Sequence, residues 1–172
     1  MNIEIRNGNS GDFHDIMQII NKARLKLAES GSPQWSEEDS PNEEDIKSEI
    51  EKGNNYLFTI NNVIVGTAIV TDEEEQAYST ISCGDWDASQ GSYATIHKFA
   101  INPEINGKGY GKTFLKLLLF VCKEKGMSEV RIDTYPRNRA MQNVILSAGF
   151  AFKGIIQLPF VNGERYAYQL FL

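Results

Sequence analysis

The chain has 172 residues, of which 41% are hydrophobic and 23% are charged. This length suits one globular domain with a core that needs no disulfide or metal, and the composition excludes disordered, collagen-like and low-complexity proteins. Lysine and arginine number 17 and aspartate and glutamate 23, so the net charge is −6. An acidic balance disfavours nucleic acid as a partner, because phosphate backbones attract basic surfaces, but it leaves room for a local anion site.

The cysteines and the apolar runs predict the compartment. Cys83 and Cys122 are far apart and near no histidine cluster, which predicts two buried or half-buried free thiols and no metal site. The first residues show no basic region followed by an apolar run, and no run approaches the roughly 20 residues that span a bilayer. We therefore predict a cytoplasmic protein with no membrane partner.

Hydrophobic periodicity predicts the first elements in chain order. Ile3 and Ile5 begin a short strand, and apolar residues at steps of three and four predict a helix from Phe13 to Leu27. The sequence Ser-Pro-Asn-Glu over 40–43 predicts a capping box with proline at the first position of a second helix, which ends at Gly53.

The rest of the chain predicts a mixed α/β order, β-α-α-β-β-β-α-β-α-β-β over the whole sequence. Asn61-Asn62 joins two strands as a tight hairpin, because asparagine tolerates positive φ. Residues 72–92 are acidic and polar and predict a long loop. The other predicted strands are 93–101, 130–134, 150–156 and 165–172, and the other predicted helices are 110–125 and 138–148, the first of which makes a parallel crossover.

The strongest local signal is the glycine turn, residues 106–111, with the sequence Asn-Gly-Lys-Gly-Tyr-Gly between a strand and a helix. Alternate glycines remove the Cβ atoms that would block an anion, so backbone N–H groups can point into one concavity. The following helix adds its positive N-terminal end. This pattern predicts a phosphate or pyrophosphate site; a plain connecting turn is the alternative.

Two nucleotide-binding motifs resemble this turn imperfectly. The dinucleotide fingerprint needs GxGxxG early in a βαβ array, whereas the spacing here is GxGxG. The nucleoside-triphosphate loop GxxxxGK[ST] matches at Gly111-Lys112-Thr113, but Asn106 stands where its first glycine belongs. A P-loop protein therefore stays open as a less favoured hypothesis.

Several motifs together resemble the GCN5-related N-acetyltransferase (GNAT) superfamily, which carries Gln/Arg-x-x-Gly-x-Gly/Ala between its fourth strand and the next helix. Gly109 and Gly111 match the glycines, while Asn106 replaces the Gln or Arg. Asn138, followed eleven residues later by Gly149-Phe150, matches a second feature of the family. The resemblance covers most of the chain and extends to a bacterial subgroup without an assigned acceptor.

The resemblance implies a single-domain α/β fold with a mixed, mostly antiparallel twisted sheet that is splayed between strands 4 and 5 and flanked by about four helices. It also implies acetyl-CoA as co-substrate, with its pyrophosphate on the glycine turn, its pantetheine arm along the end of the fourth strand, and no metal. The cofactor-binding residues implied are Phe99, Ala100, Ile101, Asn106, Gly107, Lys108, Gly109, Tyr110, Gly111, Lys112 and Asn138.

The catalytic residues are less clearly indicated. His97 lies on the fourth strand and can accept the amine proton near neutral pH; a packed histidine is the alternative. Ile145 stands where many family members carry the tyrosine that protonates the thiolate, so Tyr135 or water takes that role here. The missing tyrosine keeps a second hypothesis open, a catalytically weak acetyl-CoA-binding module.

The acceptor is predicted to be a primary amine on a small molecule or peptide. Gln34 and Trp35 in the 31–41 loop and Trp86 in residues 72–92 are the candidate substrate-binding residues, and the acidic stretch 72–75 favours a cationic amine. A solvated acidic loop is the alternative for the second segment. The last strand is compatible with a homodimer, which the sequence does not decide.

Overall fold

The computed structural model describes residues 1–89, 91–105 and 107–172, with only the backbone of Glu37. These residues form two compact units. Unit 1 comprises residues 1–70 and 98–114, and unit 2 comprises residues 71–97 and 115–172. Because the chain passes between the units more than once, each unit combines segments that are distant in sequence.

The predicted order of helices and strands is confirmed. The helices are α1 (Phe13–Glu29), α2 (Glu43–Glu51), α3 (Tyr110–Glu124) and α4 (Arg139–Ser147). The strands are β1 (Ile3–Asn7), β2 (Asn55–Ile60), β3 (Val63–Thr71), β4 (Tyr93–Ile101), β5 (Glu129–Thr134), β6 (Ala151–Gln157) and β7 (Glu164–Phe171).

The strands form one sheet in the order β1-β2-β3-β4-β5-β7-β6. The pair β4–β5 is parallel, as predicted, whereas β1–β2, β2–β3, β5–β7 and β6–β7 are antiparallel. The register of β4 with β5 runs from Tyr93–Glu129 to Ile96–Ile132. The mixed, mostly antiparallel sheet is therefore confirmed, and the splay between strands 4 and 5 stays a prediction.

Unit 1 is built around a tight hairpin and two amphipathic helices. Asn61 and Asn62 have φ angles of 49° and 67°, so the predicted hairpin with two left-handed asparagines is confirmed. The helices α1 and α2 bury their apolar stripes in one cluster, because residues at steps of three and four share a helix face. The buried members of the cluster are Ile16, Ile19, Ile20, Trp35, Ile46, Ile50, Leu57 and Ala100.

The predicted start of α2 is wrong by two residues. The helix begins at Glu43, and its N-cap is Asn42, whose side-chain oxygen accepts a hydrogen bond from the backbone N–H of Asp45 at 2.8 Å. Ser40 and Pro41 precede the cap, so neither the Ser40 capping box nor proline at the first helical position is present. Asparagine is at least as good an N-cap as serine, and its position decides the start.

The 72–92 segment is more ordered in unit 2 than a long acidic loop. It contains a 3₁₀ turn at Gln76–Thr80, and Ser82 pairs with Ile155 of β6 through backbone hydrogen bonds of 2.8 Å. Two glycines allow this close approach. A Cβ atom on Gly84 would lie 2.0 Å from the Lys153 carbonyl oxygen, and one on Gly154 would lie 2.6 Å from the Ser82 carbonyl oxygen.

The two cysteines differ in exposure. Cys122 is buried in α3, as predicted, and burial raises the pKa of its thiol to about 11. Cys83 is exposed, so the prediction that both thiols are at least half-buried is wrong for this residue. It follows the Ser82 bridge in a left-handed turn conformation with φ of 54°.

Two general features of the described residues concern membranes and metals. None of the helices formed by residues 1–89, 91–105 and 107–172 is long and apolar enough to cross a membrane. In the same ranges, no group of three or more His, Cys, Asp or Glu residues could hold a metal ion.

Candidate functional site

In unit 1, residues 107–109 of the glycine turn lie immediately before α3, and its last two residues, Tyr110 and Gly111, begin the helix. Gly107 and Gly109 have φ angles of +88° and +75°, a left-handed conformation that favours glycine. Among the described residues, leaving out the immediate chain neighbours, no heavy atom lies within 4 Å of the position that a Cβ atom would take on either glycine. The turn therefore presents an open backbone surface next to the first N–H groups of a helix, which is what an anion needs. Asn106, the first predicted residue of the turn, lies outside the described residues.

Side chains around the turn add charge and anchoring. Lys108 and Lys112 are exposed, so both can meet an anion or remain in water. The backbone N–H and the hydroxyl of Thr113 both donate to the Gly109 carbonyl oxygen, at 3.1 and 3.2 Å. Gly109 is thus held by the first turn of α3 through its carbonyl group, while its other side stays open. Gly111, the third glycine, is half-buried.

An aromatic stack supports the turn from within unit 1. The ring of Phe58 lies 6.1 Å from Tyr110 and 5.2 Å from Phe114, and Phe114 lies 5.1 Å from Phe99, measured between ring centroids. Such ring pairs contribute about 0.5–1.5 kcal/mol each beyond the area they bury. The stack fixes the start of α3 against β2 and against the second half of β4, where Ala100 is buried and Ile101 is half-buried.

Lys98 interrupts β4 between His97 and Phe99. Its φ of 51° is uncommon for a residue with a side chain, and non-glycine residues in this region cost of order 1 kcal/mol or more. Its Nζ atom lies 3.8 Å from Asp45 Oδ2 in unit 1. The sequence showed nothing of this distortion, because the residues 93–101 alternate like an ordinary strand.

In unit 2, His97 is half-buried and directly follows Ile96, where the register between β4 and β5 ends. Asp133 directly follows Ile132 on β5, and its Oδ2 atom accepts a hydrogen bond of 2.9 Å from the Tyr78 hydroxyl. Tyr78 is only 1% exposed. Neither Asp133 nor Tyr78 was predicted as a site residue, and Tyr78 comes from the 72–92 segment.

Burial raises the pKa of Asp133, while the charge of His97, the Tyr78 hydrogen bond and the charge of Arg165 act in the opposite direction. The pKa of Tyr78 is raised well above its usual value by burial and by the Asp133 charge. The Tyr78 hydroxyl therefore stays protonated and acts as a donor to the Asp133 carboxylate.

A second polar cluster lies on the same face of unit 2. The carboxylate of Glu129 is fully buried, and its Oε1 atom accepts hydrogen bonds of 2.5 Å from Arg131 Nε and 2.6 Å from Gln169 Nε2. The guanidinium carbon of Arg131 lies 4.3 Å from the ring centroid of Trp86 and 4.0 Å from that of Tyr93. A buried ion pair is thus enclosed by two aromatic rings.

Trp86 packs against the second polar cluster. It is half-buried, its ring covers the Arg131 guanidinium, and its indole N–H donates to the Tyr78 carbonyl oxygen at 2.8 Å. These contacts connect the two polar clusters of unit 2 through the 72–92 segment. The proposed contact of Trp86 with an acceptor stays a prediction.

The remaining predicted residues have definite local roles. Asn138 caps α4 by accepting a hydrogen bond of 3.1 Å from the Met141 backbone N–H, as the capping alternative predicts. The ring of Tyr135 is half-buried, with the Arg165 guanidinium carbon 5.4 Å from its centroid. Ile145 is fully buried. A hydroxyl at that position would therefore lie inside the packing of α4.

Gln34 and Trp35 lie in unit 1. Trp35 is 8% exposed with φ of 60°, and its ring belongs to the cluster formed by α1 and α2. Gln34 is half-buried and helps to line a pocket of about 450 Å³ beside the end of α1, together with Arg24 and Ser40. The pocket gives the 31–41 loop a concave surface, and its use by an acceptor stays a prediction.

Comparison with known proteins assigns the chain to a family. Residues 15–150 match the sequence model of the Acetyltransferase (GNAT) family. The chain belongs to the GNAT family of acetyltransferases. The glycine turn, His97 and Asn138 of this GNAT chain all lie within the matched residues.

Solved structures agree with this assignment. A GNAT-family acetyltransferase from Streptococcus agalactiae is 30% identical, with 99% of this chain and 95% of that chain covered and a TM-score of 0.89. One from Listeria monocytogenes is 22% identical over 99% and 95% of the chains, with a TM-score of 0.76. The protein yncA of Salmonella typhimurium, solved with its cofactor acetyl-CoA, is 19% identical over 99% and 94%, with a TM-score of 0.70. Among curated proteins, no sequence matches the chain significantly.

One signal in the sequence of this GNAT chain could have revealed the polar clusters. Glu129, Arg131 and Asp133 alternate along β5, so all three side chains lie on one face of the strand. Three charged residues on one face of a strand predict a polar network on that face. The network is buried if another part of the chain covers it. Tyr78 carries no such signal, because its contact with Asp133 depends on the path of the 72–92 segment.

Proposed function

We propose that this protein is an acetyl-CoA-dependent N-acetyltransferase that transfers an acetyl group to a primary amine of a small molecule or peptide. The proposal depends above all on the glycine turn of a GNAT-family chain, with two left-handed glycines whose open side could receive a phosphate group. Backbone N–H groups and the N-terminal end of α3 supply the positive potential, so a protein with a net charge of −6 can hold an anionic substrate.

The residues of unit 1 have distinct roles in this proposal. The N–H groups of Gly107, Gly109 and Gly111 bind the pyrophosphate, with Lys108 and Lys112 as flexible charges beside it. The backbone groups at the end of β4, over Phe99, Ala100 and Ile101, lie beyond the last residue paired with β5 and hydrogen-bond the pantetheine arm as a neighbouring strand would. Tyr110 supports the turn through its ring contact with Phe58.

The residues of unit 2 carry the proton transfers. The acceptor nitrogen attacks the thioester carbonyl carbon, the N–C bond forms, and the C–S bond breaks with its electron pair going to sulfur. His97 takes the proton from the amine, and Tyr135 or water supplies the proton to the thiolate. Asn138 binds the pantetheine arm in addition to capping α4. No cysteine nucleophile is needed, since the amine attacks directly.

The acceptor is proposed to be cationic before it loses its proton. Gln34, Trp35 and Trp86 are the proposed acceptor-binding residues, and the acidic run at 72–75 would attract a protonated amine. A cytoplasmic location and a homodimer stay predictions from the sequence.

The alternative function is a catalytically weak acetyl-CoA-binding module. The observation that favours it is Ile145, which is fully buried in α4 where many family members carry the tyrosine that protonates the thiolate. This module would bind acetyl-CoA through the same glycine turn and release thiol slowly with every acceptor.

The test combines binding with turnover. Calorimetry measures acetyl-CoA binding, and thiol release is followed with a panel of small amines and N-terminal peptides. Thiol release that requires one acceptor class supports the enzyme, whereas binding without release for any amine supports the module. The match to the GNAT family argues against the P-loop hypothesis, so no stabilisation by ATP–Mg²⁺ is expected.

The role of His97 is tested with the acceptor so found. His97→Ala should lower kcat by about 100-fold with unchanged acetyl-CoA binding, since a general base contributes typically 10²–10⁴-fold. His14→Ala is the matched control, because His14 is the only other histidine and is exposed on α1. A kcat for His97→Ala within threefold of the wild type would remove His97 as the base.

A further inference from the structure

One face of the sheet in unit 2 carries an ordered row of polar residues. Glu129, Arg131 and Asp133 alternate along β5, and the register places Tyr93 beside Glu129 and Thr95 beside Arg131 on β4. The register ends at Ile96 and Ile132, and His97 and Asp133 are the residues that follow on the two strands, near enough for the charge of His97 to act on Asp133. The row therefore ends in a histidine and an aspartate on adjacent strands.

The two carboxylates of this row have different partners. Glu129 is paired with Arg131 and Gln169, so its charge is neutralised within the cluster. Asp133 receives a hydrogen bond from the neutral Tyr78 hydroxyl, which is the one donor to this carboxylate among the described residues. The neutral Tyr78 hydroxyl does not cancel the negative charge of Asp133, so that charge acts on the cationic groups around it.

A half-buried carboxylate is costly to ionise unless its charge is used or compensated. An asparagine at position 133 would accept the same hydrogen bond from Tyr78 without the cost of partly desolvating a charge. The hydrogen bond with Tyr78 therefore does not by itself explain why position 133 carries an ionisable side chain. The cationic groups that face Asp133 are His97 on β4 and Arg165 on β7, while Glu75, which precedes the 3₁₀ turn, adds a negative charge.

We propose that Asp133, fixed by the Tyr78 hydroxyl, is a positioning residue for His97, and that its charge stabilises the imidazolium that forms when His97 takes the proton of the acceptor amine. This inference rests on the proposed function, in which His97 is the base. The proton moves from the amine to the imidazole, Asp133 stays ionised, and no further reactant is needed.

The decisive measurement does not depend on turnover. The chain contains two histidines, His14 and His97, so NMR can follow the titration of both rings in one sample, with His97→Ala to assign the signals. In Asp133→Asn the titration midpoint of the His97 ring should move down by about half a pH unit or more, since an opposite charge nearby favours the charged ring. The His14 signal should not move.

Two further variants separate charge from fold. Tyr78→Phe should shift the His97 titration in the same direction by a smaller amount, because Asp133 loses the hydrogen bond that favours its ionised form. Glu124→Gln removes an exposed charge at the end of α3, and Tyr166→Phe removes a hydroxyl from β7; neither should move it. If Asp133→Asn does not fold, Tyr78→Phe carries the test. An unmoved His97 titration in the folded variants overturns the proposal.

Kinetics then connects the pair to catalysis. In Asp133→Asn, kcat should fall by about threefold to tenfold with little change in the KM for acetyl-CoA, and the acidic limb of the kcat/KM profile should move to lower pH. If Asp133→Asn shifts the His97 titration but His97→Ala keeps full turnover, His97 is not the base, while its coupling to Asp133 stands. If the His97 titration does not move and His97→Ala is inactive, only the coupling to Asp133 is refuted.

Discussion

The two units of the protein differ in how far their charged side chains are exposed. Unit 1 leaves Lys108 and Lys112 exposed beside a turn whose anion-binding groups belong to the backbone. Unit 2 encloses charged side chains, with the Glu129 carboxylate fully buried and the Arg131 side chain only 10% exposed. Backbone dipoles carry no net charge and stay hydrated until a ligand binds, whereas a buried charge requires a fixed partner at all times. This comparison predicts different outcomes when charge is added to unit 1 or removed from unit 2.

The largest effect is expected from adding charge to the glycine turn. Gly109→Glu places a side chain and a negative charge on the open side of the turn, so acetyl-CoA affinity measured by calorimetry should fall at least 100-fold. Gly126→Glu is the matched control, because Gly126 has φ of +81° and equally open surroundings at the other end of α3. Both variants carry the same backbone strain. Equal affinities in the two variants would argue against the glycine turn as the binding site.

The largest effect on stability is expected from breaking the buried pair. Arg131→Met leaves the fully buried Glu129 without its cation, and one Glu129 oxygen, Oε2, already has no hydrogen-bond partner among the described residues. The free energy of unfolding in urea should fall by about 3–5 kcal/mol. The exposed Arg137→Met is the control and should change it by less than about 0.5 kcal/mol.

The same pair allows a test of why Arg131 matters. Adding Glu129→Met to Arg131→Met removes both charges and should restore most of the lost stability, since apolar residues often replace a buried ion pair without cost. A double variant as unstable as the single one would show that the aromatic contacts of the guanidinium, rather than its charge, hold the cluster together.

The smallest effect is expected from an exposed pair in unit 1. Arg6 donates to both Asp12 carboxylate oxygens at 2.8 and 2.9 Å, and this hydrogen bonding lowers the pKa of Asp12. Because a lowered pKa stabilises the folded state only above the unfolded value of about 3.9, the contribution is lost as pH falls through the folded pKa. Arg6→Met should therefore reduce the unfolding free energy by about 0.2–1 kcal/mol at pH 7 and by progressively less as the pH falls through the folded pKa of Asp12. A difference that persists in acid would mean that packing of the Arg6 stem is responsible.

The two units also differ in how much of them the sequence predicts. The glycine turn and the hairpin at Asn61-Asn62 are predictable because the residues that form each of them are consecutive. The start of α2 was misplaced because two candidate caps, Ser40 and Asn42, lie within three residues, and only the folded backbone selects one.

The site residues of unit 2 could be predicted only in part. His97 was singled out by its residue type, whereas Tyr78 and Asp133 become partners through a contact between residues 55 positions apart. The left-handed Lys98 was also missed, because lysine carries no signal for positive φ. Long-range contacts and local strain both depend on packing that periodicity does not encode.

The facing glycines at the Ser82–Ile155 bridge limit how the protein can diverge during evolution. A side chain on Gly84 would strike the backbone of Lys153, and one on Gly154 would strike the backbone of Ser82. A Cβ atom on Gly154 would also lie 2.9 Å from the Ile81 side chain, but the nearest obstacle in both cases is a backbone carbonyl group, which no substitution elsewhere removes. Descendants of this sequence can therefore vary the 72–92 segment readily by insertions or deletions away from the bridge, while these two positions stay glycine for as long as the two backbones touch.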